Sequence, residues 1–511
     1  MQAQTTAMSS NSVDRYEMSK GKSVIEVGEC DGEGESGSIA SFSIEQESLE
    51  NENLEIDPKE EAAFVRKLDT RLLPMLAFMY FLSSLDRSNI GNAYTSGMRE
   101  DLQLTSKQYS NAVSVFYSTY LAAELPTTLI LKKTKPKYYM SFLVLSWSII
   151  TLCNAFVQSY ASLIALRVLL GAFEGGFFPA MTLIISILYK KQEQGKRIAF
   201  FFGSSALSGA FGGLIATGLA SMKPAGGLEG WRWLYIIEGL ISVCASVWLF
   251  LELPKDFDNI PYLSARETEI LKIRAKQRVA YMGDGRFEWS YVFDALKDFK
   301  TYISFTIQFC QDVILYGFST FVTAILKLGL GYTSREAQYM SVPVYILAAI
   351  VFLISAYISD RLKVRAPIFV CYNVIGAVGY ILLLSVHNNS VKYFACYLIT
   401  FSLYTGTGLN IAWLTNNVAP HYKRATALGL NQTLGNVSGA VAGQIYTTAP
   451  YTFGHSFSLG CIVLSNLLAI TQMFILKRIN RKRQRILSGE ISDDHRGVRN
   501  GDNALDFKYC M

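Results

Sequence analysis

Seven ionisable side chains interrupt long apolar stretches of this chain: Asp86, Arg87, Glu124, Arg167, Glu174, Glu238 and Asp312. A charge placed in hydrocarbon costs roughly 2.5–3.5 kcal/mol on insertion scales, so such residues mark functional positions. Arg167 and Glu174 are seven residues apart, and at about 100° per residue they share one helix face. Counted at about 1.5 Å per residue from the ends of their stretches, Arg87 and Glu174 reach similar depths, ~25 and ~21 Å. An Arg87–Glu174 ion pair would offset the cost of two isolated charges. Two arginines and two carboxylates on two helices suggest a site for an anion and a proton. Guanidinium offers a planar fork to a carboxylate, and a carboxylate withdrawn from water can carry a proton. The alternative is an ion-pair network that only locks the two helices.

The other candidates are more ambiguous. Glu124 precedes Pro126, where packing, gating and transport are equally open. Glu238 follows the aromatic segment Trp231–Tyr235 and is expected at a solvated interface. Asp312, with Gln308 and Gln311, is a candidate for lining a cavity, and Asn431 and Asn436 are expected to face it. Tyr316, beside Phe318 and Phe321, offers a ring for stacking. Pro126 and Pro179 predict helix kinks.

The stretches that must position these residues set the class. The 511 residues are 50% hydrophobic and 17% charged, against roughly 25% charged in soluble domains. That excludes a soluble multidomain enzyme. Twelve apolar segments are long enough to cross ~30 Å of hydrocarbon and must be helices, since no water satisfies their backbone. They span 70–92, 109–131, 138–158, 161–188, 198–220, 233–253, 301–327, 339–359, 366–386, 392–415, 425–447 and 456–477. Lys132, Lys133, Lys135 and Lys137 follow the second span, Lys190, Lys191, Lys196 and Arg197 the fourth, and Arg361, Lys363 and Arg365 the eighth. Basic loops lie in the cytosol, which puts both termini there. The four histidines fall in loops or the C-terminal tail, and no Cys/His set of metal-site spacing occurs. No metal or cofactor is expected, a proton gradient serving as the energy source, and the basic residues form no face for nucleic acid.

The chain divides into a disordered acidic tail (1–64), a six-helix bundle (65–253), a linker with short helices (254–300), a second six-helix bundle (301–478) and a C-terminal tail (479–511). Ser264 and Glu267 have capping-box spacing for a linker helix. Lys196-Arg197 with Gly209 and Gly213, and Lys423-Arg424 with Gly435, Gly439 and Gly443, recur at offsets of 227 and 226 residues. Twelve transmembrane helices as two six-helix pseudo-repeats are the mark of a major facilitator fold, with its substrate site between the halves.

The stretches Leu85-Asp86-Arg87-Ser88-Asn89, Arg167 through Glu174 to Pro179, Ser341 to Tyr345 and Lys423 to Ala427 resemble the anion:cation symporter family of that superfamily. The likeness is strongest to its fungal allantoate permease-like group, with nicotinate-type members nearest. The resemblance implies a proton-coupled importer of a small organic anion, a monomer in the plasma membrane, whose partners are that anion, protons and the lipid bilayer. Nicotinate or a related vitamin-like monocarboxylate leads, with allantoate or ureidosuccinate also open. It implies Asp86 and Glu174 as protonation sites, Arg87 as partner to Glu174, Arg167 as a structural or anion-attracting charge, and Tyr120 (or Tyr117) at the cavity. The superfamily's Gly-x-x-x-Asp-Arg loop is replaced after the second span by Lys132 to Lys137, while its counterpart survives as Ser359-Asp360-Arg361, a gating candidate. A drug antiporter of the same fold and a non-transporting nutrient sensor are the competing readings.

Overall fold

The computed structural model describes residues 56–220, 227–257, 260–282, 289–492 and 501–511, almost wholly as α-helix. The first half comprises α1 (Pro58–Ala93), α2 (Ser106–Lys133), α3 (Pro136–Asn154), the broken pair α4 (Tyr160–Glu174) and α5 (Phe177–Leu188), α6 (Lys191–Ala220) and α7 (Gly230–Glu252). Two short helices follow, α8 (Ala265–Met282) and α9 (Trp289–Lys297). The second half comprises α10 (Phe299–Ala324), α11 (Ser334–Leu362), α12 (Ala366–Ser385), α13 (Asn389–Asn417), α14 (His421–Ile445) and α15 (Thr452–Leu487). Each apolar span predicted above is helical over most of its length, the third ending at Asn154. The fourth breaks at Gly175–Gly176 because Pro179 has no N–H to bond the Gly175 carbonyl.

The halves repeat local details. A π turn ends the first helix of each, at Tyr94–Met98 and Ile325–Gly329. A capping box starts the second, at Thr105/Gln108 and Thr333/Glu336. The surface is that of a protein dissolved in lipid: Phe142, Leu251, Leu353 and Leu467 are exposed, while Asp86, Arg167, Glu174 and Asp312 are buried. Among the described residues seven helical stretches are long and apolar enough to cross a membrane, Gly230–Glu252 and Ser334–Leu362 among them.

The repeated glycines form the seam between halves. A Cβ on Gly209 or Gly213 of α6 would lie 2.5 Å from the Tyr345 ring or 2.9 Å from the Gln338 carbonyl of α11. Gly439 and Gly443 of α14 have no room for one against Tyr117 and Ser114 of α2. Small residues thus let helix backbones approach in lipid. Ser114 donates to the Ala440 carbonyl at 2.8 Å, Lys107 to Gln444 at 2.6 Å and Lys327 to the Thr95 carbonyl at 2.8 Å. These bonds lie at the end of the bundle remote from the basic loops.

At the basic end each half is clamped separately. Arg274 of α8 holds Glu61 of α1 at 2.6 Å and also Glu193 of α6. Ser264 and Glu267 cap α8 as predicted. In the second half Asp298, Lys300, Lys423 and Asp502 form a buried cluster, with Lys423 2.7 Å from Asp298 and 2.9 Å from Asp502. Burial alone would raise the Asp298 carboxyl, but Lys300 and Lys423 outweigh it and hold it below the usual carboxylate range.

Four expectations are corrected. Pro58 to Phe64 belong to α1 and not to a disordered tail, whose residues 1–55 lie outside those described. The C-terminal tail is ordered in part: α15 runs to Leu487, and residues 501–511 pack under the second half, where Trp413 and Asn417 donate to the Cys510 carbonyl at 3.0 Å. His455, placed in a loop from sequence, lies in the first turn of α15, buried against Tyr380 and Tyr446. Glu238 is not at a solvated interface: it is 1% exposed, since it stands on the buried face of α7 with Trp231, Leu234, Tyr235 and Ser242.

Candidate substrate and proton site

A cavity open to solvent lies between the halves, lined by residues of both. Its N-terminal wall carries Arg87, Tyr80 and Ser84 of α1, Tyr117 and Tyr120 of α2, and Ser205 and Ser208 of α6. Its C-terminal wall carries Asp312 and Tyr316 of α10, Tyr345 of α11, Thr407 of α13, and Gln432 and Asn436 of α14. Hydroxyls, amides and phenol rings dominate. Such a lining suits a small polar molecule with a ring better than a large lipophilic one.

Arg87 is the only cation among the described lining residues. Its Nε donates to Glu174 Oε1 at 2.7 Å, and Nη2 donates to Ser83 Oγ at 3.1 Å. The guanidinium carbon lies 4.8 Å from the centre of the Tyr120 ring, a cation–π contact. Ser83 also donates to the same Glu174 oxygen. Nη1 has no protein acceptor among the described residues, so part of the fork faces the cavity while its charge is balanced from behind. Glu174 is fully buried, and a buried carboxylate without its arginine would be strongly disfavoured.

Asp86 and Arg167 lie elsewhere. Neither lines the cavity. They form a sealed cluster towards α3 and α7, where Arg167 Nη2 donates to Tyr235 at 3.2 Å and Asp86 stands within electrostatic reach of Arg167 and Glu238. Arg167 is 1% exposed, and neither Glu238 oxygen has a hydrogen-bond partner among the described residues. Asn431 also departs from expectation. It accepts from Ser304 at 3.0 Å inside the second half, and its neighbour Gln432 lines the cavity instead. One residue is about 100° of helix, enough to exchange wall for interior.

Asn436, Tyr316 and Tyr120 do line the cavity. Tyr316 donates to Asn436 Oδ1 at 3.0 Å, and Asn436 donates across the seam to Glu124 at 3.1 Å. The Tyr117 and Tyr316 rings, one from each half, lie 4.7 Å apart. Asp360 is exposed at the basic end and pairs with Arg365 at 2.6 Å; Arg361 beside it is exposed. Among the described residues no three His, Cys, Asp or Glu side chains gather as a metal set.

Sequence reasoning missed Ser83, Ser205, Ser208, Tyr80, Tyr345 and Thr407. Ser83 had a signal, standing one turn before Arg87. The others are neutral side chains of kinds found throughout the spans, and only the fold selects them.

The signature described as Major Facilitator Superfamily matches residues 76–443. An uncharacterized transporter of Schizosaccharomyces pombe is 51% identical over 90% of this chain and 95% of its own. The high-affinity nicotinic acid transporter of Saccharomyces cerevisiae is 37% identical over 84% of this chain and 80% of its own. Among solved structures, a bacterial homolog of the human lysosomal transporter Spinster superposes with a TM-score of 0.63 at 15% identity, covering 81% of this chain and 96% of that one. The xylose transporter XylE from E. coli gives 0.62 at 11% identity, covering 79% and 98%.

Proposed function

We propose, from the premise that the chain belongs to the Major Facilitator Superfamily and is a multi-pass membrane transporter, that it imports a small organic anion together with protons. A ring-bearing monocarboxylate such as nicotinate is the leading substrate. The observation that carries this reading is the half-free guanidinium of Arg87, facing a cavity of tyrosines with Glu174 balancing it. The free side of the fork takes the substrate carboxylate, and the Tyr117–Tyr316 pair takes its ring. Protonating Glu174 would release Arg87 to the substrate; losing that proton would restore the pair and expel it. The identity to a nicotinic acid transporter supports the choice of substrate.

Energetics set the proton requirement. Each charge crossing the membrane is worth about 2.3 kcal/mol per 100 mV. A monoanion entering a negative interior therefore needs more than one proton for the potential to drive it. With the basic loops in the cytosol, the bonded glycine seam lies on the outside and the cavity belongs to the inward-facing side of an alternating-access cycle. A fungal plasma membrane suits an importer of this kind.

Uptake of labelled carboxylates in a permease-deficient yeast tests the proposal. The expected result is saturable uptake that rises at acidic external pH and collapses with a protonophore. Uptake indifferent to both treatments refutes proton coupling.

A further inference from the structure

We propose that Asp312 is a second proton-binding carboxylate of the cavity, contributed by the C-terminal half. The inference rests on the proton-coupled reading above and adds a residue to it. Among the described residues that line the cavity, Asp312 is the only carboxylate. Glu174 is turned towards Arg87 and Ser83, and Asp86 is sealed behind the wall.

The surroundings of Asp312 are neutral. Thr407 donates to Oδ1 at 2.8 Å, and Gln308 donates to Oδ1 and Oδ2 at 3.2 and 3.0 Å. No basic side chain pairs with it, unlike Glu174. The titratable and charged groups around it are Tyr316 on its own helix, and Tyr80 and Arg87 on α1, the last across the cavity. Against it α13 presents Thr407 and α14 presents Gly435, where a Cβ would lie 2.6 Å from Oδ2. That glycine, one of the repeat set, is the space in which the carboxyl sits.

The donors are fixed from below. Gln308 Oε1 accepts from Asn410 at 2.8 Å, and Ser304 donates to Asn410 at 3.1 Å and to Asn431 at 3.0 Å. Lys300, Ser304, Gln308 and Asp312 recur every fourth residue, so one polar stripe of α10 runs from the basic-end clamp to the cavity. This gives the buried amide Asn431 a role away from the substrate: it accepts from Ser304 and Asn410, and Asn410 in turn bonds the Gln308 that holds the acid.

An anionic substrate decides what the acid does. An ionised Asp312 in the same water-poor cavity would repel it, and no fixed cation beside Asp312 offsets that. Taking a proton from the outer water forms an O–H bond, removes the repulsion and supplies a donor to the substrate. Releasing that proton to the inner water breaks the bond and restores the repulsion as the substrate leaves. No electron is transferred, so the step balances as a proton carried through.

The test is the Asp312→Asn variant, reconstituted in vesicles with a negative interior and assayed with labelled nicotinate. Exchange of labelled for unlabelled substrate should persist in weakened form, while potential-driven accumulation should fall by about 50-fold for each 100 mV imposed. The rise of uptake at acid pH should flatten, and Asp312→Glu should restore it. Unchanged accumulation and pH profile in Asp312→Asn would overturn the proposal, as would equal loss of exchange and accumulation. Should the wild type accumulate no carboxylate, the transport reading fails by itself. Infrared difference spectra of the purified chain between acidic and neutral pH then decide on Asp312. A protonated-carboxyl band absent from Asp312→Asn supports the proposal, and the same band in both proteins refutes it.

Discussion

Asp86 and Arg87 are neighbours in sequence, yet they belong to different regions of the molecule. Arg87 lines a cavity with Glu174 buried behind it; Asp86 with Arg167 and Glu238 forms a sealed interior cluster. Helices α1 and α4 contribute to both, with Glu238 added to the interior from α7, and adjacent residues on α1 point about 100° apart. In the wall, the ion pair is geometrically closed on one side and open on the other. In the interior, Arg167 meets a phenol, and among the described residues no ion pair joins it to the carboxylates nearby. A charge inside a membrane bundle therefore marks a position in the packing, and whether it meets substrate depends on which face it takes.

Four variants sharpen that contrast. Arg87→Ala carries the largest expected effect: uptake is lost, and stranding Glu174 lowers stability by about 3–5 kcal/mol. Adding Glu174→Gln should recover folded protein without recovering uptake, which membrane yield and transport read separately. Next, Arg167→Met should reduce the amount and thermal stability of folded protein by about 1–3 kcal/mol, since Tyr235 loses its buried hydrogen-bond partner, while KM of the surviving fraction stays near wild type. A large rise in KM there would dissolve the distinction between wall and interior.

Gly213→Val acts on the seam. Overpacking of about 1–3 kcal/mol disfavours the closed outer side by about 5- to 150-fold, slowing transport and exposing cysteines introduced at the seam to labelling. The smallest effect belongs to Asp502→Ala. Asp298 still pairs with Lys300 and Lys423, so transport should be unchanged, with protease cleavage after Leu487 faster. Because the folded pKa of Asp298 is depressed, its contribution is present above its unfolded value and lost only as pH falls through the lower folded one. Cytosolic pH should not open this clamp.

Much of this was legible without a fold. Arg87 and Glu174 were paired by depth alone, since helical rise converts position into height. Gly209, Gly213, Gly439 and Gly443 were found by their repeat, and each lies against the other half, Gly209 and Gly439 under tyrosine rings and Gly213 and Gly443 against backbone. Asn436, Tyr316 and Tyr120 were named and do line the cavity; Asn431 was named and does not. Gln432, Ser205, Ser208 and Thr407 carry no charge and follow no rare spacing, so nothing distinguishes them in a chain rich in hydroxyls.

Residue types and their spacing were enough to set the solvent, the twelve helices, their division into repeats and the heights at which costly charges sit, because hydrocarbon tolerates few alternatives to a helix and few unpaired charges. Tertiary structure alone decided azimuth: which charge faces water, which faces protein, and where the C-terminal residues return to cap a bundle. Height follows from counting along one helix, whereas azimuth is fixed by the packing of several helices at once, and that information is spread over contacts hundreds of residues apart, such as Asn436 with Glu124.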